Sequence, residues 1–294
     1  GGHRAVDLQK LMAGKIASAS PSMSTSGHGI SGGSNPANIE TALQLLYLKF
    51  TAPRDDADAF ALIKKNLENA YQNRERDPGQ VYGEKVGEIN SSGHYTARPL
   101  TLERIARLDR AAMTSFYKAR FSNAANFTFF MVGAFKLDEV LPLAGKYVGS
   151  LPSKGTPDTS VKQMGAKFPE KIVREKVAKG REPKAQTIVS FYAEPPLEEN
   201  EQSRVEAATT VLEIALRDIL REELGETYGV RVGSAQPLPQ VGSGRISVSF
   251  GGAPEKIESM VERVMKEVAR LQQEGPSEDL TNRAKESARR AHET

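Results

Sequence analysis

Cysteine and tryptophan are absent from the chain. Without thiols it forms no disulfide, no cysteine-ligated zinc site and no thiolate nucleophile. The compartment stays open on this ground, because reducing and oxidising compartments both hold Cys-free proteins. Long hydrophobic runs are also missing, and none approaches the ~18 residues a membrane-spanning helix needs. Charge of one sign is scarce: 40 Lys and Arg stand against 37 Asp and Glu, for a net +3. The signs are interspersed, so the sequence shows no clustered basic face of the kind that binds nucleic acid.

Histidine is sparse too. There are four, His3, His28, His94 and His292. No two stand four apart, the spacing that puts two imidazoles on one helical face for zinc. His28 and His94 lie in Gly/Ser-rich surroundings, which point to exposed loops rather than ligands; joint coordination through the fold is the alternative. The serines of 18–34 show no nucleophile elbow, and Gly29–Gly33 is no phosphate loop, because no Lys-Ser/Thr follows. The acidic pairs around Glu198–Glu201 and Glu222–Glu223 read as solvated faces.

What is present is a polar globular chain of 294 residues, 38% hydrophobic and 26% charged, long enough for two domains. Residues 4–19 read as a helix leading into a strand. Residues 20–35 read either as a Ser/Gly linker or as a strand and turn where small residues let backbones approach. Asn35-Pro36 opens a helix with an apolar stripe at Ile39, Leu43, Leu46, Tyr47 and Phe50. Helices are expected over 56–73, 80–89 and from Thr101 through Tyr117. Asn126–Gly133, N-F-T-F-F-M-V-G, is the best strand candidate of the first half. Leu137–Val148 returns to helix, with Pro142 acceptable only near the first turn.

Residues 150–167 lose periodicity and gain Pro, Gly, Ser and Thr, which marks a boundary. Two domains are therefore expected, 1–153 and 168–294. The second repeats the logic. It has strands near Lys171–Val177, Ala185–Tyr192, Thr227–Val232 and Arg245–Phe250. Its helices are expected over about 201–224 and 254–274, and again from Ser277 to the end. The spacing predicts an α+β fold, each domain a largely antiparallel sheet packed against helices. Gly1-Gly2-His3 reads as an artificial leader and the last helix has no closing cap, so the chain is expected to be a piece of a longer protein.

One junction, Leu220–Tyr228 (L-R-E-E-L-G-E-T-Y), sets Arg221 on a helix end and Tyr228 at a strand start, with Gly225 between. The plain reading makes Arg221 a surface cation complementing the helix dipole and Tyr228 a half-buried strand aromatic. The functional reading makes them a binding pair for carbonyl or carboxylate oxygens, a rigid guanidinium fork plus a phenol donor.

That run, continued as L-R-E-E-L-G-E-T-Y-G-V, resembles the Arg/Tyr segment in the carboxy-terminal half of pitrilysin/insulinase-like zinc metallopeptidases. N-F-T-F-F-M-V-G-A-F with L-D-E-V-L-P-L-A-G-K-Y-V-G-S-L-P is similar to their strand-then-helix signature. N-I-E-T-A-L-Q-L-L-Y-L-K-F-T-A-P-R resembles the matching helix of bacterial periplasmic-type members. The resemblance spans about Leu8 to Thr294. It implies a clamshell of four α+β domains around a chamber for unfolded peptides, with zinc held by H-x-x-E-H in the amino-terminal half. This chain has no H-x-x-E-H; the corresponding positions, Leu43, Leu46 and Tyr47, cannot hold zinc.

The resemblance therefore implies the zinc-free, substrate-binding half: a third-domain-like region followed by a fourth cut short. No catalytic residue and no metal ligand are expected within the chain, and no cofactor is bound by it; the zinc lies in the other half. Arg221 and Tyr228 would contact the scissile carbonyl opposite that zinc. The implied partners are the catalytic amino-terminal half, on the same chain or separate, and a peptide substrate. Neither nucleic acid nor a membrane span is implied, and the expected compartment is the periplasm or another exported one. The competing reading is a non-enzymatic peptide-binding or assembly subunit of a degenerate peptidase pair.

Overall fold

The computed structural model describes residues 5–24, 27–74, 76–160, 162–193, 199–224, 229–235 and 244–293. They fall into two compact units. The first is Gly1–Arg74 with Leu100–Lys162, and the second is Glu75–Pro99 with Gln163–Thr294.

In the first unit α1 (Ala5–Leu11) leads into β1 (Ala17–Met23), which pairs antiparallel with β2 (His28–Ser34). The Ser/Gly stretch is thus a hairpin and not a linker. One glycine is required by contact: a Cβ on Gly32 would stand 2.0 Å from the Ser18 carbonyl oxygen. After a 3-10 turn at Pro36–Asn38 comes α2 (Ile39–Thr51), then α3 (Ala57–Arg74). The helix expected from Thr101 divides into α5 (Leu102–Ala106) and α6 (Arg110–Arg120), with α4 (Pro78–Asn90) belonging to the second unit. The break has a local cause. Asp109 caps α6 by accepting from the Ala112 N–H at 2.6 Å, a bond an unbroken helix would forbid. Helix α7 (Leu137–Tyr147) follows. Pro142 lies deeper in it than the first turn, on the exposed side.

The core of this unit is aromatic. Phe50 and Phe121 are buried, with rings 5.3 Å apart and near perpendicular, and Phe127 lies 4.9 Å from Phe50. Tyr117 stacks on Phe121 at 4.5 Å and donates its hydroxyl to the Lys49 carbonyl at 3.0 Å. The unit runs on to Lys162 because asparagine side chains hold the Pro/Gly-rich stretch. Buried Asn123 accepts from the Lys154 N–H at 2.8 Å and donates to the Thr156 carbonyl at 2.9 Å; Asn126 accepts from the Asp158 N–H at 2.7 Å.

The strand expected over Asn126–Gly133 does not form a ladder. Asn126 closes a 3-10 turn and the following residues are extended but unpaired. Their β-forming side chains favour the extended backbone, yet a strand also needs a hydrogen-bonding neighbour.

The second unit is built on a three-stranded antiparallel sheet. Its strands are β3 (Ala185–Tyr192), β4 (Val230–Ala235) and β5 (Arg245–Gly252), in the order β3-β5-β4. Register explains the core. Val248 pairs with Val189 on one side and Val232 on the other; Phe250 pairs with Thr187 and Val230. Helix α8 (Glu199–Leu224) sets Leu216 and Leu220 on this face, and α9 (Ile257–Glu274) adds Met260 and Val264; all four are buried. The capped helix α10 (Glu278–Glu293) packs Leu280 and Ala284 on Ile214 and Ala215 of α8. The i, i+4 stripes at 212, 216, 220 and at 260, 264, 268 are what one buried helix face requires.

Helix α4 (Pro78–Asn90) joins this unit although it precedes α5 in the chain. Asn90 accepts from the Tyr192 hydroxyl at 2.8 Å, and His94 Nε2 lies 3.0 Å from the Met164 carbonyl. Lys171–Val177, expected as a strand, is unpaired and exposed, Ile172 at 89%.

Candidate functional site

Arg221 lies in the last turn of α8, which ends at Leu224; the next described strand, β4, begins at Val230. The Arg221 side chain, Gly225 and Tyr228 lie outside the described residues, as does Thr227, where the strand was expected to begin. What is described is the frame around them. Leu216 and Leu220 anchor the end of α8 under β4 and β5. Glu213 accepts the Val232 N–H at 2.9 Å and pairs with Arg217 at 2.5 Å, fixing α8 against β4. On another side Arg283 donates to both carboxylate oxygens of Asp218, at 2.6 and 3.1 Å. A bidentate fork of this kind fixes geometry as well as adding attraction. Helix end and strand start are thus held in one register, and the 225–229 connection spans them. Gly229 has φ +105°, backbone that favours glycine as the chain enters β4.

The helix that would carry H-x-x-E-H is α2. Leu43 is buried there, while Leu46 and Tyr47 pack against the Phe50–Phe121 cluster. Two alkyl groups and a packed phenol do not fit a zinc ion, whose ligands are thiolate, imidazole or carboxylate. Among the described residues, no three of His, Asp and Glu converge.

His28 and His94 are both half-buried; His28 opens a strand, while His94 is a loop residue that caps the 3-10 turn Tyr95–Ala97. His28 opens β2, packs edge-on to Phe121 and Phe127 at 5.5 and 5.2 Å, and bonds through Nε2 to the Arg120 carbonyl at 3.1 Å. His94 Nε2 donates to the Met164 carbonyl, so its Nδ1 accepts from the Thr96 hydroxyl at 2.8 Å.

Two groupings escaped the sequence reading. On α2 and α7, Glu40 accepts from Lys146 at 2.9 Å and from the Tyr147 hydroxyl at 2.7 Å, and Tyr147 accepts from Gln44 at 3.0 Å. Nothing in the sequence joins residues so far apart. The Lys146 hydrogen bond first, then that of Tyr147, holds the Glu40 carboxyl below its ordinary 4.5. A depressed folded value means the contribution is present above 4.5 and lost as pH falls through that lower value. In an acid titration of stability, Glu40→Gln should therefore differ from wild type near neutrality and converge with it in acid. A constant gap would show that the charge is not what ties α2 to α7.

The second grouping lines a cavity of about 830 Å³ in the second unit with Arg76, Lys179, Arg181, Lys184 and Glu182. Gly180, at φ +95°, closes on Pro78, where a Cβ would stand 3.2 Å from its ring. The run K-G-R-E-P-K at 179–184 carried the signal, but Arg76 is brought in only by folding. Such a site has the charge to hold a carboxylate.

Comparison with known proteins places these observations. Residues 107–288 match the family described as peptidase M16 inactive domain, a stretch crossing both units. A zinc protease PQQL-like protein of Arabidopsis thaliana is 29% identical in a match that covers 87% of this chain and 28% of that protein. The periplasmic protease PqqL of Escherichia coli has a crystal structure that superposes with TM-score 0.76 at 18% identity, over 99% of this chain and 32% of its own. A peptidase M16 inactive domain from Pseudomonas fluorescens gives 0.74 at 18% identity, over 98% and 69%. The chain spans 28% and 32% of the lengths of the first two. With most of its residues matched, the chain belongs to the peptidase M16 inactive-domain family.

Proposed function

We propose that the chain is the substrate-binding, zinc-free half of a zinc metallopeptidase acting on peptides or unfolded polypeptides. Arg221 and Tyr228 act from it on the scissile carbonyl. The observation that carries the reading is α2. The helix where the resemblance puts the metal motif has Leu43, Leu46 and Tyr47 at those positions, built into an apolar core. The metal centre is then supplied by a catalytic half, on the same polypeptide or as a separate subunit.

The role of this chain is to bind and orient. The carbonyl oxygen of a scissile peptide gains negative charge as it is attacked. A guanidinium and a phenol aimed at that oxygen lower the barrier because they are already oriented. The junction supports this division of labour. Arg221 rides on a helix pinned by Asp218–Arg283 and by its leucines, while Tyr228 precedes a strand tied to the same helix through Glu213. A guanidinium donates throughout the working pH range, since it does not lose its proton there.

The likeness to a periplasmic protease supports an exported location. Among the described residues, no helix is long and apolar enough to cross a membrane.

The test is a peptidase assay on an unstructured fluorogenic peptide with zinc present. The chain alone should show no turnover above background, and turnover should appear when the catalytic half is supplied. Turnover by the chain alone would refute the reading. A pair of halves that binds peptide without cleaving it would instead establish a binding module.

A further inference from the structure

Helices α8 and α9 cover one face of the β3-β5-β4 sheet, and register puts a different set of residues on the other. The middle row of that second face is Ser190, Ser247 and Gly233, side by side across the three strands. The two hydroxyls stand 3.4 Å apart, and a Cβ on Gly233 would meet nothing within 4 Å, so the row is low and open. On one side of it Arg231 pairs with Ser249, and on the other Arg245 stands between Tyr192 and Ala235. Both arginines therefore belong to this face, four residues apart along the strands, or about 13 Å. The strands place no Asp or Glu on it. Among the described residues neither guanidinium has a hydrogen bond or an ion pair. The Tyr192 end is closed, because Phe168 stacks on that ring at 5.0 Å and Asn90 accepts from its hydroxyl. The other end is marked by exposed Arg231, three residues on from Tyr228 in the chain.

We infer that this face is a substrate subsite for an acidic stretch of extended polypeptide, its carboxylates held by Arg231 and Arg245. The subsite rests on the reading that substrate passes the Arg221–Tyr228 junction. Strand β4 leads away from that junction, so a peptide seated there and lying along the strand meets Arg231 before Arg245. An extended peptide repeats its side chains at the spacing of a strand, so two acidic residues four apart match the two guanidiniums. Beside that line Ser190 and Ser247 offer hydroxyls that both donate and accept, which suits a peptide backbone of any sequence. The charge on the face selects the class. Two guanidiniums without counter-ions repel a basic segment, and under an apolar one they lose water with nothing in return. A carboxylate is the group that a guanidinium fork fits.

Fluorescence anisotropy on the complete protein tests this, with a chelator present so that no peptide is cut. The probes are two labelled, unstructured peptides, identical except for Glu or Gln at two positions four residues apart. At low salt the Glu peptide should bind about 10-fold more tightly, the scale of two exposed charge pairs, and the ratio should shrink as salt rises. Arg231→Gln and Arg245→Gln should each reduce the ratio, and Arg231→Glu should turn the preference toward a Lys peptide. Equal affinity of the wild type for the Glu and Gln peptides would overturn the inference. So would a ratio that survives both Gln substitutions, or variants that lose affinity for both peptides alike, because the arginines would then be structural. Binding needs no turnover, so the subsite and the peptidase reading fail separately. A charge preference with no cleavage once zinc is restored keeps the subsite and refutes the peptidase; cleavage with no charge preference does the reverse.

Discussion

Arg221→Ala in the complete enzyme should lower kcat/KM by 10²–10³-fold, about 2–4 kcal/mol of transition-state stabilisation, the scale of a lost oxyanion donor. The melting temperature should change little. The described anchors of α8 include Leu216, Leu220, Glu213 and Asp218, all of which the substitution leaves in place. Tyr228→Phe should act in the same direction, because it removes one donor and keeps the ring. The loss should fall on kcat more than on KM if the contacts strengthen as the carbonyl gains charge. Unchanged kinetics with a lowered melting point would return the pair to a structural role. In that case Arg221 complements the helix dipole and Tyr228 fills a strand position.

The converse is expected five residues earlier on the same helix. Leu216 is fully buried between α8 and the sheet, against a core that includes Val248, Phe250, Met260 and Val264. Leu216→Ala should destabilise the second unit by about 3–4 kcal/mol, combining lost transfer energy with a cavity the rigid sheet cannot fill. For a unit of this size that is a drop on the order of 10 °C in melting temperature. Turnover of the folded fraction, measured well below the transition, should stay within a few-fold of wild type. Together the two variants separate holding the site from being the site. If Leu216→Ala cost less than ~1 kcal/mol, the packing of α8 on the sheet would not be the source of stability argued above.

Amphipathic elements were the legible ones. Helices α2, α3, α8 and α9 announce themselves by stripes at helical spacing, and β3 and β5 by β-branched and aromatic runs between breakers. These signals are local. What the sequence hid depends on partners distant in the chain. Residues 126–133 carry strand chemistry, but a strand exists only when a neighbour accepts its hydrogen bonds. Residues 171–177 failed as a strand for the same reason. The helix from Thr101 broke at Asp109 because a short acidic side chain preferred to cap. The attachment of α4 to the second unit rests on Tyr192–Asn90 and His94–Met164, which join points far apart in sequence.

The candidate site was legible only through resemblance. An Arg near a helix end and a Tyr near a strand are common, and residue types alone favoured a structural reading. The L-R-E-E-L-G-E-T-Y-G-V run gave the pair a meaning, and the missing H-x-x-E-H gave the half its identity. The Glu40–Tyr147–Lys146 grouping and the Arg76–Lys184 cavity had no such guide, since both assemble from separate stretches.

The central claim, that this half carries no metal centre, is tested most directly by metal analysis. The isolated chain and the complete protein are each dialysed against micromolar zinc and then against metal-free buffer, and bound zinc is measured per polypeptide. The account predicts none on the isolated chain and a single tightly held zinc on the complete protein. A zinc retained stoichiometrically by the isolated chain would contradict it.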